Sequence, residues 1–282
     1  MVTRNPVNAA RRKHFPRTKA KLGQNFLTDG GAARRIVDAL GDIQNSVVIE
    51  IGSGRGALTQ LLASRAGHLI ATELDEMLAQ QLRVAYAEKP NVEVVQGDFL
   101  KLNLSELLGR KEHALSSGRA KVVGNIPYYI TSDILLRLFD QHEHIDTAVL
   151  MMQTEVADRV AAKPGSRDYG LLTVTTNLFA EVEPLFTLPP SAFSPSPQVY
   201  STVLRLRMAP KAESLKVNAE QFVRFAKLAF SQKRKTLLNN LRARYEANQI
   251  RNALASVEAR VDLRAEALSL EQLTRIYRCL SH

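Results

Sequence analysis

From residue 45 onward, short apolar runs alternate with stretches of helical spacing. Val47-Val48-Ile49-Glu50-Ile51 reads as a buried strand, and residues 57–64 as a helix. The pattern repeats with a strand at 68–72, a helix at 76–86 and a strand at 91–96. Val122-Val123-Gly124 is a further strand, followed by a helix at 132–139, a strand at 147–152 and a helix at 155–161. Strands and helices alternating at this spacing predict an α/β fold, a doubly wound and mainly parallel sheet. Residues 181–188 and 200–207 read as two more strands joined by a proline-rich loop, which gives the sheet an antiparallel edge. Past Met208-Ala209-Pro210 the strand signal fades. Phe222, Phe225, Leu228 and Ala229 fall at helical spacing, as do Leu237, Leu238 and Leu241. The predicted division is an arm at 1–21, the α/β domain at 22–209 and a small all-helical domain at 210–282.

A chain of 282 residues has room for one large domain and a small one. No apolar run approaches the roughly 18–20 residues that span a bilayer, and the first 30 lack the apolar core of a secretory signal. One cysteine, Cys279, excludes an intramolecular disulfide framework and fits a reducing compartment; a cytoplasmic location is expected. Net charge is +10, which favours a polyanionic partner, nucleic acid or an anionic membrane. The arm holds Arg4, Arg11, Arg12, Lys13, Arg17, Lys19 and Lys21 and no acid, so a flexible segment is expected there. An organelle-targeting segment fits its Arg-rich composition less well, because no amphipathic face is visible.

Candidate chemistry collects at the predicted strand ends. Gly52-x-Gly54-x-Gly56 follows a strand and opens a helix, where glycines let the backbone turn tightly and approach a ligand. Dinucleotide enzymes use a related loop, but with different spacing, and Glu50 ahead of it is more typical of methyltransferases. Glu73 ends the second strand, where a carboxylate can accept both ribose hydroxyls of a nucleoside cofactor. Asp98 ends the third and can accept from an adenine amine. Asn125-Ile126-Pro127-Tyr128 ends the next. Its amide oxygen and the Pro127 carbonyl can accept both N–H bonds of an exocyclic amine, while Tyr128 stacks on the ring. Phe193, in the stiff loop Phe193-Ser194-Pro195-Ser196-Pro197-Gln198-Val199-Tyr200-Ser201, is expected to cover the other face of that ring. Together these groups point to S-adenosylmethionine and methyl transfer to an adenine nitrogen. A base inside a helix must be flipped or unpaired before it can enter. His142 and His144 read as solvated side chains rather than ligands, and no metal is expected.

These motifs resemble those of the small-subunit ribosomal RNA adenine N6-dimethyltransferases of the KsgA (RsmA) type. The resemblance runs from Gly23-Gln24-Asn25-Phe26-Leu27 through the loop and strand-end motifs. It continues to Phe230-Ser231-Gln232-Lys233-Arg234-Lys235-Thr236-Leu237-Leu238-Asn239-Asn240-Leu241. It implies a Rossmann-like class I methyltransferase sheet and S-adenosylmethionine contacts from Asn25, Leu27, Gly52, Glu73, Asp98 and Asn125. It also implies dimethylation of two adjacent adenosines in the 3′-terminal hairpin loop of 16S rRNA, late in ribosome assembly. The helical domain offers Arg224, Lys227, Lys233, Arg234 and Lys235 for phosphate contacts, or simply a solvated face. The partner expected is the small-subunit rRNA of a pre-ribosomal subunit, met by a monomer, with no membrane involved. Two rivals are a large-subunit rRNA adenine methyltransferase of the macrolide-resistance type and a non-catalytic RNA-binding assembly factor.

Overall fold

The computed structural model describes residues 24–109 and 118–281. The basic arm expected at 1–21 lies outside the described residues, as does Gly23. A two-residue strand β1 (Phe26–Leu27) precedes helix α1 (Gly30–Asp38). Asp29 caps α1, its carboxylate accepting from the Gly31 and Ala32 amides. Then follow β2 (Val47–Ile51), α2 (Thr59–Leu62), β3 (His68–Glu73), α3 (Glu76–Ala85) and β4 (Val92–Gln96). Next come α4 (Leu104–Leu108), β5 (Ala120–Asn125), α5 (Thr131–Asp140), β6 (Ile145–Gln153) and α6 (Thr154–Val160). After α7 (Leu171–Phe179) the chain forms β7 (Ala180–Leu188), β8 (Phe193–Ser194) and β9 (Ser201–Met208). It ends in α8 (Ala219–Ala229), α9 (Leu237–Leu241), α10 (Ala247–Ala255) and α11 (Leu270–Leu280).

Seven strands form one sheet in the order β4-β3-β2-β5-β6-β9-β7. The pairs from β4 to β6 are parallel, and β9 runs antiparallel to both β6 and β7. The expected antiparallel edge is present, with the reversed strand inserted second from the rim. Every residue of β2 and β3 is buried, which explains why these strands read as continuous apolar runs. Alternate residues feed two cores. Ile49, Ile51, Val122 and Leu150 pack on one face, Val48, Val123, Val149 and Met151 on the other.

A third core joins α8, α9, α10 and α11. It also takes in Tyr169, Val174 and Leu178, so α7 packs with the C-terminal helices as well as feeding β7. Helix α7 has no counterpart in the sequence pattern. Its run Leu-Leu-Thr-Val-Thr-Thr is rich in β-branched residues with weak helix propensity, and tertiary packing overrides that preference. Helix α2 is shorter than the expected 57–64, because the glycine loop and the turn after it consume its first residues. No helix among the described residues is long and apolar enough to cross a membrane.

Candidate active site

Strand order reverses at β2, whose neighbours are β3 and β5. In an open α/β sheet the crevice beyond the carboxyl ends of such strands is where ligands bind. A cleft lies there with about 860 Å³ of empty space, its open mouth included. Asn25, Gly52, Glu73, Asp98, Asn125 and Tyr128 all line it, although they come from five separate stretches of chain. Gly54 shows why the loop needs glycine. Its φ of +53° is left-handed, and a Cβ there would stand 3.1 Å from the Phe26 ring.

The acids are built in differently. Glu73 is 4% exposed, and each carboxylate oxygen receives one backbone N–H, from Gly54 at 2.7 Å and from Asp75 at 2.9 Å. Burial pushes its carboxyl above the ordinary range, and those two amides pull it back. Each oxygen retains capacity to accept a further bond, as a pair of ribose hydroxyls requires. Asp98 caps a 3-10 turn through the Leu100 amide at 3.1 Å and faces Lys101 loosely at 4.0 Å. Glu50 does not line the cleft. It is 2% exposed, accepts from the Thr59 hydroxyl at 2.6 Å, and thereby ties β2 to α2 across the glycine loop. Burial pushes its carboxyl up to about 7, against the opposing pull of the Thr59 and Ser53 hydrogen bonds.

At the end of β5, the Asn125 side-chain amide donates to the Asn25 carbonyl at 2.9 Å. That bond decides which end of the amide is nitrogen, and it leaves Oδ1 without a protein donor among the described residues. The Pro127 carbonyl corrects the sequence reading. It already accepts from the Ile130 amide at 3.2 Å and the Thr131 hydroxyl at 3.3 Å, because it caps the turn that leads into α5. The Ile126 carbonyl, one residue nearer Asn125, has no donor among the described residues, and Ile126 lines the cleft. Its side chain is buried in the core and its N–H donates to the Met151 carbonyl at 2.9 Å, which fixes the peptide. Sequence reasoning missed this acceptor because every residue has a carbonyl. Only the hydrogen-bond account separates the spent one from the free one.

Tyr128 is half-buried, and its hydroxyl shares a 2.9 Å hydrogen bond with the hydroxyl of fully buried Ser201. Exposed Tyr129 also lines the cleft and was not anticipated. Phe193 is placed by the short β1–β8 pair. Strand β8 pairs antiparallel with β1, placing Phe193 opposite Leu27, and both side chains are buried in the core with Leu188 and Ala192. Neither is among the residues that line the cleft. His142 and His144 contact different groups, the Phe139 carbonyl and the Ser105 hydroxyl. No cluster of three or more potential metal-binding side chains occurs among the described residues. Lys227, Arg234 and Lys235 are exposed, Arg224 is ion-paired with Glu220, and Lys233 donates to the Arg167 carbonyl.

The sheet order, the glycine loop at its switch point and the acceptors at successive strand ends define a class I S-adenosylmethionine-dependent methyltransferase. The cleft suits that cofactor, with carboxylate acceptors for ribose and amine groups beside a loop that admits close backbone approach. More particularly, the chain belongs to the ribosomal RNA adenine dimethylase family, whose sequence model matches residues 16–282. It is 53% identical over 278 residues to ribosomal RNA small subunit methyltransferase A of Koribacter versatilis, covering 96% of this chain and 98% of that one. The protein of the same name from Acidobacterium capsulatum is 52% identical, covering 97% and 94%. Among solved structures, a dimethyladenosine transferase from Plasmodium falciparum superposes with a TM-score of 0.73 at 25% identity, covering 89% and 95%. The 23S rRNA methyltransferase ErmE gives 0.68 at 29% identity, covering 92% and 100%.

Two predictions follow from this geometry. Folded protein holds the Glu50 proton up to about pH 7, whereas the unfolded chain releases it near 4.5. Stability contributed by Glu50 therefore falls as pH rises through that window and is level above it. Urea unfolding of the neutral isostere Glu50→Gln at pH 5, 6, 7 and 8 should show its advantage over wild type growing, by about 3 kcal/mol in all. A constant difference would contradict the raised carboxyl. Separately, Tyr128→Phe and Ser201→Ala should each slow methyl transfer about fivefold, the equivalent of ~1 kcal/mol. The double variant should be no slower, because both changes remove one shared bond. Multiplied effects in single-turnover rates would mean that the two hydroxyls act separately.

Proposed function

We propose that this enzyme dimethylates N6 of two adjacent adenosines in the 3′-terminal hairpin loop of small-subunit rRNA, late in assembly of a pre-ribosomal subunit. The observation that carries the chemistry is the Asn125 amide, held by the Asn25 carbonyl so that its oxygen is left to accept. Support for the substrate comes from relatives named for the small subunit, 53% identical over nearly the full length. Likeness to ErmE, a 23S rRNA enzyme by name, is 29% and weighs less. The uncompensated charge of the chain fits an RNA partner rather than a small molecule.

Bound S-adenosylmethionine supplies a methyl group already activated on a sulfonium. Glu73 accepts the ribose hydroxyls, Asp98 accepts from the cofactor's adenine amine, and Gly52 allows close backbone approach. Asn25 joins the cofactor wall to the target wall through its bond to Asn125. Leu27 and Phe193 act through position, since their paired, buried side chains hold the Asn25-Phe26 segment in place. On the target side, Asn125 Oδ1 and the Ile126 carbonyl accept the two N6–H bonds. This favours a pyramidal nitrogen whose lone pair faces the methyl group. Tyr128 stacks on the unpaired base, its tilt fixed by Ser201. Alignment of this kind lowers a barrier by up to ~7–11 kcal/mol, so no strong base is required. The N6 proton leaves to solvent after transfer, because the methylated amine is very acidic.

Residues 22–209 serve as the methyltransferase domain and 210–282 as the RNA-recognition domain, with Arg224, Lys227, Arg234 and Lys235 toward phosphates. The enzyme works as a monomer in the cytoplasm. Asn125→Ala should slow transfer to unmethylated small subunits by about 10²–10³-fold, the scale of losing one preorganised hydrogen-bonding group. Subunit binding, measured by sedimentation, should be unchanged. Wild-type turnover in the variant would overturn the assignment.

A further inference from the structure

We infer that the turns at residues 163–168 and 231–235 form one RNA-phosphate strip, with Lys163 and Arg167 as contacts lying outside the basic motif of the helical part. This rests on the rRNA reading above. The two turns are fastened together. Lys233 Nζ donates to the Arg167 carbonyl at 2.7 Å, across 66 residues of sequence. Just beyond Arg167, the buried Tyr169 ring packs on Phe230 at 6.2 Å between centroids, immediately before the basic turn. Buried Asn240 donates to the Ala229 carbonyl at 2.7 Å and the Gln232 carbonyl at 3.3 Å, and Gln232 also accepts from the Lys235 amide at 3.0 Å. On the other side, the Ser166 amide donates to the Lys163 carbonyl at 3.1 Å, and the Gly165 amide to the Glu266 carbonyl at 2.7 Å. The backbone of both turns is therefore preorganised.

Positive charge gathers on this joined surface. Lys163, Arg167, Lys233, Arg234 and Lys235 are all exposed, and Asp168 is the one acid within the two turns. No carboxylate forms an ion pair with any of the five among the described residues. Some arginines elsewhere do have carboxylate partners, as in Arg65–Asp38, Arg224–Glu220 and Arg260–Asp262. Five cations held close together against a single acid within the turns repel one another at low salt. A polyanion relieves that repulsion and gains from releasing its own condensed counterions. Lys233 spends one of its three donors on Arg167, so it serves as the bolt of the strip as much as a contact. Because 163–168 follows β6 and α6 while 231–235 follows α8, RNA lying on the strip bridges the sheet and the helical core. The strip thereby fixes where an anchored stem sits relative to the cleft, acting on binding and register rather than on the transfer step.

The test compares wild type, the double variant Lys163→Ala/Arg167→Ala, and Arg251→Ala, an exposed arginine on α10 that donates to Asn248 and belongs to neither turn. Binding to unmethylated small subunits is measured from 50 to 300 mM KCl, with steady-state methylation in parallel. The double variant should lower the slope of log K against log salt by about one for each side chain removed. KM should rise about tenfold or more at physiological salt, with kcat and S-adenosylmethionine affinity unchanged. A slope and KM equal to wild type would overturn the strip, and so would an equal loss of slope in Arg251→Ala. If wild type failed to methylate small subunits, the substrate reading would fall, while the salt slopes would still decide whether these two turns hold RNA.

Discussion

One hydrogen bond, from the Asn125 side-chain amide to the Asn25 carbonyl, joins segments a hundred residues apart and sets the chemical polarity of the cleft. A free amide can present either end to a ligand. Here the nitrogen is committed, so an oxygen faces the ligand, and an oxygen accepts. A site built from this oxygen, the Ile126 carbonyl and an aromatic face selects a flat ring bearing an amine, and disfavours a carbonyl that would meet it lone pair to lone pair. The bond requires Asn25 to stay in place. That demand explains the small β1–β8 pair, where Leu27 and Phe193 are buried side by side and the Thr28 amide and hydroxyl both donate to the Ala192 carbonyl.

Around that bond the site is organised by carboxylates in unequal surroundings. Glu73 at the cleft keeps acceptor capacity because backbone amides contact it, and those amides counter part of the upward push of burial. Glu50, deeper and satisfied by a neutral hydroxyl, is the group that burial pushes toward neutrality. A proton held there through much of the acid range keeps a second negative charge away from Glu73. The glycine loop lies between the two, covered by Phe26, with Arg55 stacked over the Phe26 ring at 4.2 Å.

Much of this was legible in the sequence. Continuous apolar runs revealed the buried parallel strands, and the groups at their ends revealed the cleft, because strand ends in an alternating α/β chain converge by topology. Glu73, Asp98, Asn125 and Tyr128 meet there as their spacing suggested. What was not legible depended on partners chosen in three dimensions. Which carbonyl beside Asn125 is free follows from the Ile130 and Thr131 donors to Pro127. Phe193 is buried beside Leu27 through strand pairing, a placement its loop motif did not reveal. Helix α7 hid behind β-branched residues, and Arg167 gave no motif because only its contact with Lys233 assigns it to the basic surface.

The base that enters the cleft defines the enzyme. Labelled S-adenosylmethionine would be supplied with unmethylated small subunits and, in parallel, with large subunits, and the product nucleotides mapped. N6-dimethyladenosine is expected at two adjacent positions of the small-subunit 3′ hairpin and none on the large subunit. Label confined to the large subunit, or to a position other than adenine N6, would contradict it.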